Sequence, residues 1–229
     1  MTPAQAEFFR DRGYLRLEHF HPRKRMMALR QQVLDALRRA STKAAPNALQ
    51  ALPVFQQIGK LSGLVKTAGL HDALMCRDLA DAITALAGRV PSSVQEAQWL
   101  LSPPRQGDWT LQGLNWHVDI SAGPRAPLPG IQAFFLVDDV APRGGATLAL
   151  AGSHRVDAQR AEPAGSLRGL LKASADLPRD LRARGLDILE MSGQAGDVFL
   201  MDMRVLHTPS VNTTKQMRMM ATSRCFLAA

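Results

Sequence analysis

Hydrophobic positions recur at helical spacing in the first ninety residues or so and at strand spacing after them. The stretch PRKRMMALRQQVLDALRRA sets Met26, Leu29, Val33 and Leu37 on one helical face, and HDALMCRDLADAITALAG repeats the pattern with Leu74, Leu79, Ile83 and Leu86. Both stripes read as core faces. At the N-terminus, TPAQAEFFRDRG has a threonine cap, a proline in the first turn and a closing glycine, the start and stop signals of a short helix. YLRLEHF then alternates as a strand does. Residues 41–70 keep no clear period, because Pro46, Pro53 and Gly63 interrupt their helical fragments.

From about residue 91, short apolar segments alternate with clusters of Gly, Pro, Asp and Ser: SVQEAQWLL, NWHVDI, IQAFFLV, ATLALA, LDILEM, DVFLMDM and MRMMATSRCFL. Helices followed by at least seven strands predict an α+β chain with a mostly β core, a sandwich or barrel buttressed on one side. The helical part covers about 1–90 and the β core about 91–229. Residues 155–185 interrupt the strands with a polar, partly helical insertion, long for a plain loop and a candidate lid. With 229 residues, 46% of them hydrophobic, the chain suffices for a single domain, 1–229, around one core.

Composition narrows the class. Cys76 and Cys225 fit neither a disulfide framework nor a zinc cluster, and both read as buried apolar residues. No stretch resembles a signal peptide or a bilayer span, so a cytoplasmic protein without membrane contact is expected. The net charge of +8 comes from basic residues spread along the chain, 22 of the 28 being arginine, which disfavours a nucleic-acid partner. A basic surface still suits small anionic molecules.

Candidate chemistry centres on NWHVDI. In an extended strand His117 and Asp119 point to the same side and could share a metal. With 6 histidines and 15 aspartates in the chain, chance alone supplies about 0.4 such pairs, so the motif needs support. Support comes from GDVFLMDMRVLHTPSVNTTKQMR, which places His207 ninety residues later (207 − 117) and Arg218 eleven beyond that (218 − 207). Two histidines and one carboxylate leave three coordination positions open, the pattern of non-haem Fe(II) oxygenases. A bidentate 2-oxoglutarate and O2 would fill them, and Arg218 on a neighbouring strand would clamp the distal carboxylate through charge-assisted hydrogen bonds.

The ordered set NWHVDI, GGATLALAGSHR, GDVFLMDMRVLH and VNTTKQMR resembles the phytanoyl-CoA dioxygenase family of Fe(II)/2-oxoglutarate oxygenases, and AEFFRDRGYLRLEHF is similar to that family's opening helix and strand. The resemblance implies a double-stranded β-helix, a jelly-roll of the cupin kind. It implies iron held by His117, Asp119 and His207, 2-oxoglutarate held by Arg218, and hydroxylation of a small-molecule C–H bond with release of succinate and CO2. Gln132 and Thr147 are further candidates for holding 2-oxoglutarate. Asp119 argues against the halogenases of this class, which keep a small residue there to admit chloride.

Two departures from the family stand out. Pro209 occupies a position where a small hydroxyl residue is common, leaving Thr208 or Ser210 to compensate, and Phe134 stands where an indole is frequent. Gln98, Trp109, Asn115 and Phe134 are candidate substrate-pocket positions. His154 and Asp197 read as structural hydrogen-bonding residues, Asp138 and Asp139 as solvent-facing, and Asn212 as a turn residue or an organiser of the loop before Arg218. Arg224 competes with Arg218 for the cosubstrate. If it won, a nucleic-acid demethylase of the alkylation-repair type would be the alternative. A cupin-like metal protein with no oxygenase activity would keep the histidines without needing Arg218.

Overall fold

The computed structural model describes residues 1–41, 51–156 and 166–228. Helix α1 (Pro3–Arg12) begins as its sequence predicts: the Thr2 hydroxyl accepts from the Gln5 amide, the Gln5 side chain answers the Thr2 amide, and Gly13 closes the helix at φ 76°. Strand β1 (Tyr14–Leu17) and helix α2 (Arg23–Ser41) follow. Within the aperiodic stretch the structure finds helix α3 (Val54–Gly63), while residues 42–50 lie outside the described part. The second predicted helix is two, α4 (Leu70–Leu74) and α5 (Arg77–Ala87), because the chain leaves helical geometry at Met75 and Cys76.

A six-stranded antiparallel sheet contains β1, β2 (Ser93–Val94), β3 (Gln98–Ser102), β4 (Gly130–Leu136), β7 (Val198–Asp202) and β9 (Arg218–Phe226). Its order is β1-β7-β4-β9-β2, with β3 also paired to β9. A three-stranded sheet orders β6 (Asp187–Glu190), β5 (Thr147–Ala151) and β8 (His207–Pro209). Alternation along the strands sorts the core. On β4, Ile131, Ala133 and Phe135 pack against the N-terminal helices with Met26, Val33, Leu79 and Ile83. Phe134 and Leu136 face the other way, toward Ala149 of β5 and Phe199 and Met201 of β7. Both faces of β4 are thus covered, which is why IQAFFLV reads as an unbroken apolar run rather than an alternating one.

Several expectations are revised. NWHVDI forms no ladder strand: only His117 bridges, to His207, while Asp119 and Ile120 donate backbone hydrogen bonds to the Met203 carbonyl. Asp139 is exposed, as expected, and Asp138 is half-buried, but both are tied to α2. Asp138 accepts from Arg30 Nε at 2.6 Å, and Asp139 takes a two-pronged contact from Arg23 plus the Ala195 amide, so the pair fastens α2 to the large sheet. Of the insertion 155–185, residues 157–165 lie outside the described part. The rest forms helices α6 (Leu167–Ala173) and α7 (Leu177–Arg182), which pack Leu167, Leu171, Leu177 and Leu181 on Leu150 and Leu206 at the back of the small sheet. Trp116 and Val118 join that cluster, so the insertion supports the segment carrying His117 from behind.

Candidate metal centre

His117, Asp119 and His207 converge, each offering one ligand atom, with those atoms within 4.8 Å of one another. The imidazole rings stand 4.3 Å apart, and His207 Nε2 lies 3.9 Å from Asp119 Oδ2. A carbonyl can only accept, so His117 Nδ1 at 2.9 Å from the Asn115 carbonyl and His207 Nδ1 at 3.1 Å from that of Val205 must both carry the proton. This tautomer leaves both Nε2 lone pairs free for a metal. Burial pushes the His207 pKa down to about 4, so its ring is neutral at physiological pH, as metal ligation requires. The donor set fits a divalent metal with open positions.

His117 and His207 border a cavity of about 330 Å³ between the two sheets, with Gln98 and Leu100 from β3, Gln132 and Phe134 from β4, Thr147 from β5, and Arg218, Thr222 and Arg224 from β9. Asn115 lines it as well; Trp109, in the irregular segment after β3, does not. Pro209 reaches the cavity opposite its register partner Thr147. Thr208 and Ser210 are fully buried and donate their hydroxyls to the carbonyls of Pro209 and Ala146, so neither stands in for a cavity hydroxyl at position 209.

Arg218 is 3% exposed, and its Nε and Nη1 have no hydrogen-bond partner. No carboxylate among the described residues pairs with it. Burial lowers its pKa to about 9, which still leaves it charged at neutral pH. A buried guanidinium without a counter-ion is costly unless an anion completes it. Arg224 is the opposite case: Nε donates to Asp119 Oδ2 at 3.1 Å and Nη2 to Oδ1 at 3.0 Å.

Gln132 has a fixed orientation. Thr222 gives its hydroxyl proton to the Ala133 carbonyl, so it can only accept from Gln132 Nε2, at 3.0 Å. The Gln132 Oε1 that remains is buried and unpaired.

Around the site, Asn212 is fully buried, accepts from the Thr214 amide and hydroxyl, and donates to the Gln216 carbonyl, ordering the loop that delivers Arg218. His154 Nε2 donates to the Arg10 carbonyl, and Asp197 gathers the His19 and Gln194 amides with Arg16. Sequence reasoning missed the pairing of Arg224 with Asp119 and the wall contributed by Phe55, Ile58 and Gly59 of α3. The even spacing of residues 218, 222 and 224 on one strand was a usable signal for the first, whereas α3 lay in an aperiodic stretch and gave none.

Two facing sheets with this ligand set between them define the Fe(II)/2-oxoglutarate-dependent class of double-stranded β-helix enzymes. The chain belongs to the phytanoyl-CoA dioxygenase (PhyH) family, whose model matches residues 9–220. Similar solved structures include the non-heme alpha ketoglutarate dependent carbocyclase SnoK from nogalamycin biosynthesis, 19% identical with a TM-score of 0.63 over 100% of this chain and 85% of that one. EctD from S. alaskensis with bound Fe is 19% identical, TM-score 0.65, over 99% and 77%. EvdO2 from Micromonospora carbonacea var. aurantiaca complexed with 2-oxoglutarate is 19% identical, TM-score 0.62, over 100% and 91%. No curated protein matches the sequence significantly.

Proposed function

We propose that this protein is an Fe(II)- and 2-oxoglutarate-dependent dioxygenase that hydroxylates a C–H bond of a small molecule. The observation that carries the reading is Arg218, a buried guanidinium without a counter-ion on the wall of the cavity that His117 and His207 also line. A dicarboxylate held by Arg218 at one end and facing the metal ligands at the other satisfies both features, and a metal protein without a cosubstrate explains only the histidines. His117, Asp119 and His207 would hold the iron; with 2-oxoglutarate and O2 it supplies the oxidising power, releasing succinate and CO2.

This chain's residues do the binding and the shaping. Thr147 and Gln132 line the same cavity as Arg218, and the Thr147 hydroxyl is assigned as a donor to a cosubstrate oxygen. Gln132 presents an acceptor, which suits an O–H or N–H of a bound molecule better than a carboxylate. Phe134 packs edge-on to His207 with ring centroids 6.1 Å apart, giving the ligand ring an apolar neighbour. Asp119 occupies a ligand position and so favours hydroxylation over halogenation. The cavity is at the small end of ligand pockets, ~300–1,000 Å³. A neighbouring groove of about 460 Å³ shares Ile58, Gly59, Gln98 and Leu100 with it and offers room for a substrate to extend.

The demethylase alternative needs Arg224 for the cosubstrate, but Arg224 is committed to Asp119. Among the described residues no helix is long and apolar enough to cross a membrane. The test is succinate formation by protein loaded anaerobically with Fe(II), then given 2-oxoglutarate and air. Wild type should turn over slowly without added substrate, and Asp119→Ala and Arg218→Ala should not. Equal succinate from all three would overturn the reading.

A further inference from the structure

We propose that Arg224 is a positioning residue of the metal centre, holding the Asp119 carboxylate in ligating orientation through a two-pronged contact. The inference rests on the reading of His117, Asp119 and His207 as metal ligands and goes beyond it by assigning what keeps the third ligand in place.

The three ligands differ in how they are held. Each imidazole is set by its own short hydrogen bond to a backbone carbonyl two residues before it. His207 also sits on β8, paired to β5. Asp119 lies in an irregular segment whose attachment there is backbone donation to the Met203 carbonyl, which fixes the chain but leaves the side-chain torsions free. What fixes the carboxylate is Arg224, from the middle of the large sheet, where β9 is in register with β4 at the Gln132–Arg224 pair.

The contact is shaped for the task. Nε meets Oδ2 at 3.1 Å and Nη2 meets Oδ1 at 3.0 Å, so one lone pair on each oxygen is used and one on each remains. Oδ2 is the oxygen 3.9 Å from His207 Nε2, hence the one turned toward the other ligands. The third guanidinium nitrogen, Nη1, meets Gln95 Oε1 at 3.3 Å, which braces the arginine from behind. All three nitrogens of Arg224 are therefore engaged by protein, whereas Arg218 keeps unpaired donors for an incoming anion.

Two effects oppose each other. A guanidinium beside a cation site repels the metal, and a carboxylate held in place ahead of binding favours it. Loss of a group that orients a metal ligand typically costs about 10–100-fold in metal affinity, so orientation is expected to win.

The experiment is titration of Co(II) into the metal-free full chain by calorimetry, with the visible d–d bands recorded in parallel. Wild type is compared with Arg224→Gln, Arg224→Lys and Asp119→Ala, all first matched for folding by circular dichroism. Arg224→Gln should weaken Co(II) binding about 10–100-fold and alter the bands, and Arg224→Lys, with a charge but no fork, should recover part of the loss. At saturating Co(II), 2-oxoglutarate affinity should stay within about threefold of wild type. Unchanged or tighter Co(II) binding by Arg224→Gln would overturn the proposal, as would a loss confined to 2-oxoglutarate binding, which would make Arg224 a cosubstrate ligand. If Asp119→Ala binds Co(II) as tightly as wild type, the metal-centre reading itself falls and takes the proposal with it, an outcome distinguishable from failure of the Arg224 assignment alone.

Discussion

Replacing Arg218 with leucine should stabilise the ligand-free protein and abolish its response to 2-oxoglutarate. In the folded state this guanidinium is 3% exposed, two of its nitrogens are unpaired, and burial lowers its pKa from the usual arginine value to about 9. Such a displacement corresponds to roughly 5 kcal/mol against the charged form. Leucine recovers only part of that, because it is shorter and leaves some of the arginine's volume empty. Exchanges of buried charge for apolar side chains that come out favourable gain ~1–4 kcal/mol. For a chain of this size each kcal/mol moves Tm by about 2–4 °C, so Arg218→Leu should melt roughly 2–16 °C above wild type without ligands. With Mn(II) present and 2-oxoglutarate added at a hundred times its Kd, the order should narrow or reverse, since wild type gains about 2.7 kcal/mol from binding and the variant gains nothing. Differential scanning calorimetry with and without 2-oxoglutarate measures both effects. An Arg218→Leu protein that melts below wild type without ligand would refute the argument, because the buried guanidinium would then have a partner that stabilises it.

His21 makes the protein acid-sensitive: burial, with Arg25 beside it, lowers its pKa from 6.5 to about 4, so the unfolded chain binds the proton first as pH falls. Stability present above pH 6.5 should therefore be lost down to pH 4, by at most roughly 3 kcal/mol for this residue, and urea unfolding of His21→Phe across that window should lack this share. Thr147→Val should weaken 2-oxoglutarate binding about 5–10-fold, the worth of one hydrogen bond; equal affinity by calorimetry would remove Thr147 from the cosubstrate site. Gly13→Ala should cost about 2–4 kcal/mol in urea denaturation, because φ is 76° and the added Cβ would lie 2.5 Å from His154 Nδ1 and 2.6 Å from Val205 Cγ2; a loss under 1 kcal/mol would mean the cap relaxes freely.

What could be read from the sequence was what repeats or caps. The amphipathic period of α2, the Thr2 cap and the apolar run of β4 are local signals, and each element appears where its signal stands. The ligand set was legible because its members occur in a fixed order. Yet the reason for expecting His117 and Asp119 on one side, strand alternation, is not how the fold achieves it, since that segment has a single bridge. Their convergence comes from tertiary anchors, the bridge to His207 for His117 and the Met203 carbonyl with the Arg224 side chain for Asp119, which no local pattern encodes. The contribution of α3 to the cavity and the backing role of α6 and α7 depend on packing between distant segments and left no periodic trace.

The two arginines of β9 also set the charge balance of the site. Six residues apart (224 − 218) on the same strand, they face the same cavity. Metal ligation needs both imidazoles unprotonated, so among the remaining groups Asp119 cancels one guanidinium and a single positive charge is left over. A divalent metal alone would raise that to three, and 2-oxoglutarate alone would reverse it to one negative. Taken together they leave it unchanged, so each lowers the electrostatic cost of the other in a poorly solvated cavity. Metal and cosubstrate should therefore bind with positive coupling. Reciprocity requires that 2-oxoglutarate tighten Co(II) binding by the same factor as Co(II) tightens 2-oxoglutarate binding, typically about 5–150-fold. Calorimetric titrations in the two orders measure both factors. Because Arg218→Leu keeps the metal ligands but does not hold the cosubstrate, 2-oxoglutarate should leave its Co(II) affinity unchanged; Co(II) binding tightened in that variant as in wild type would show that the cosubstrate is held elsewhere.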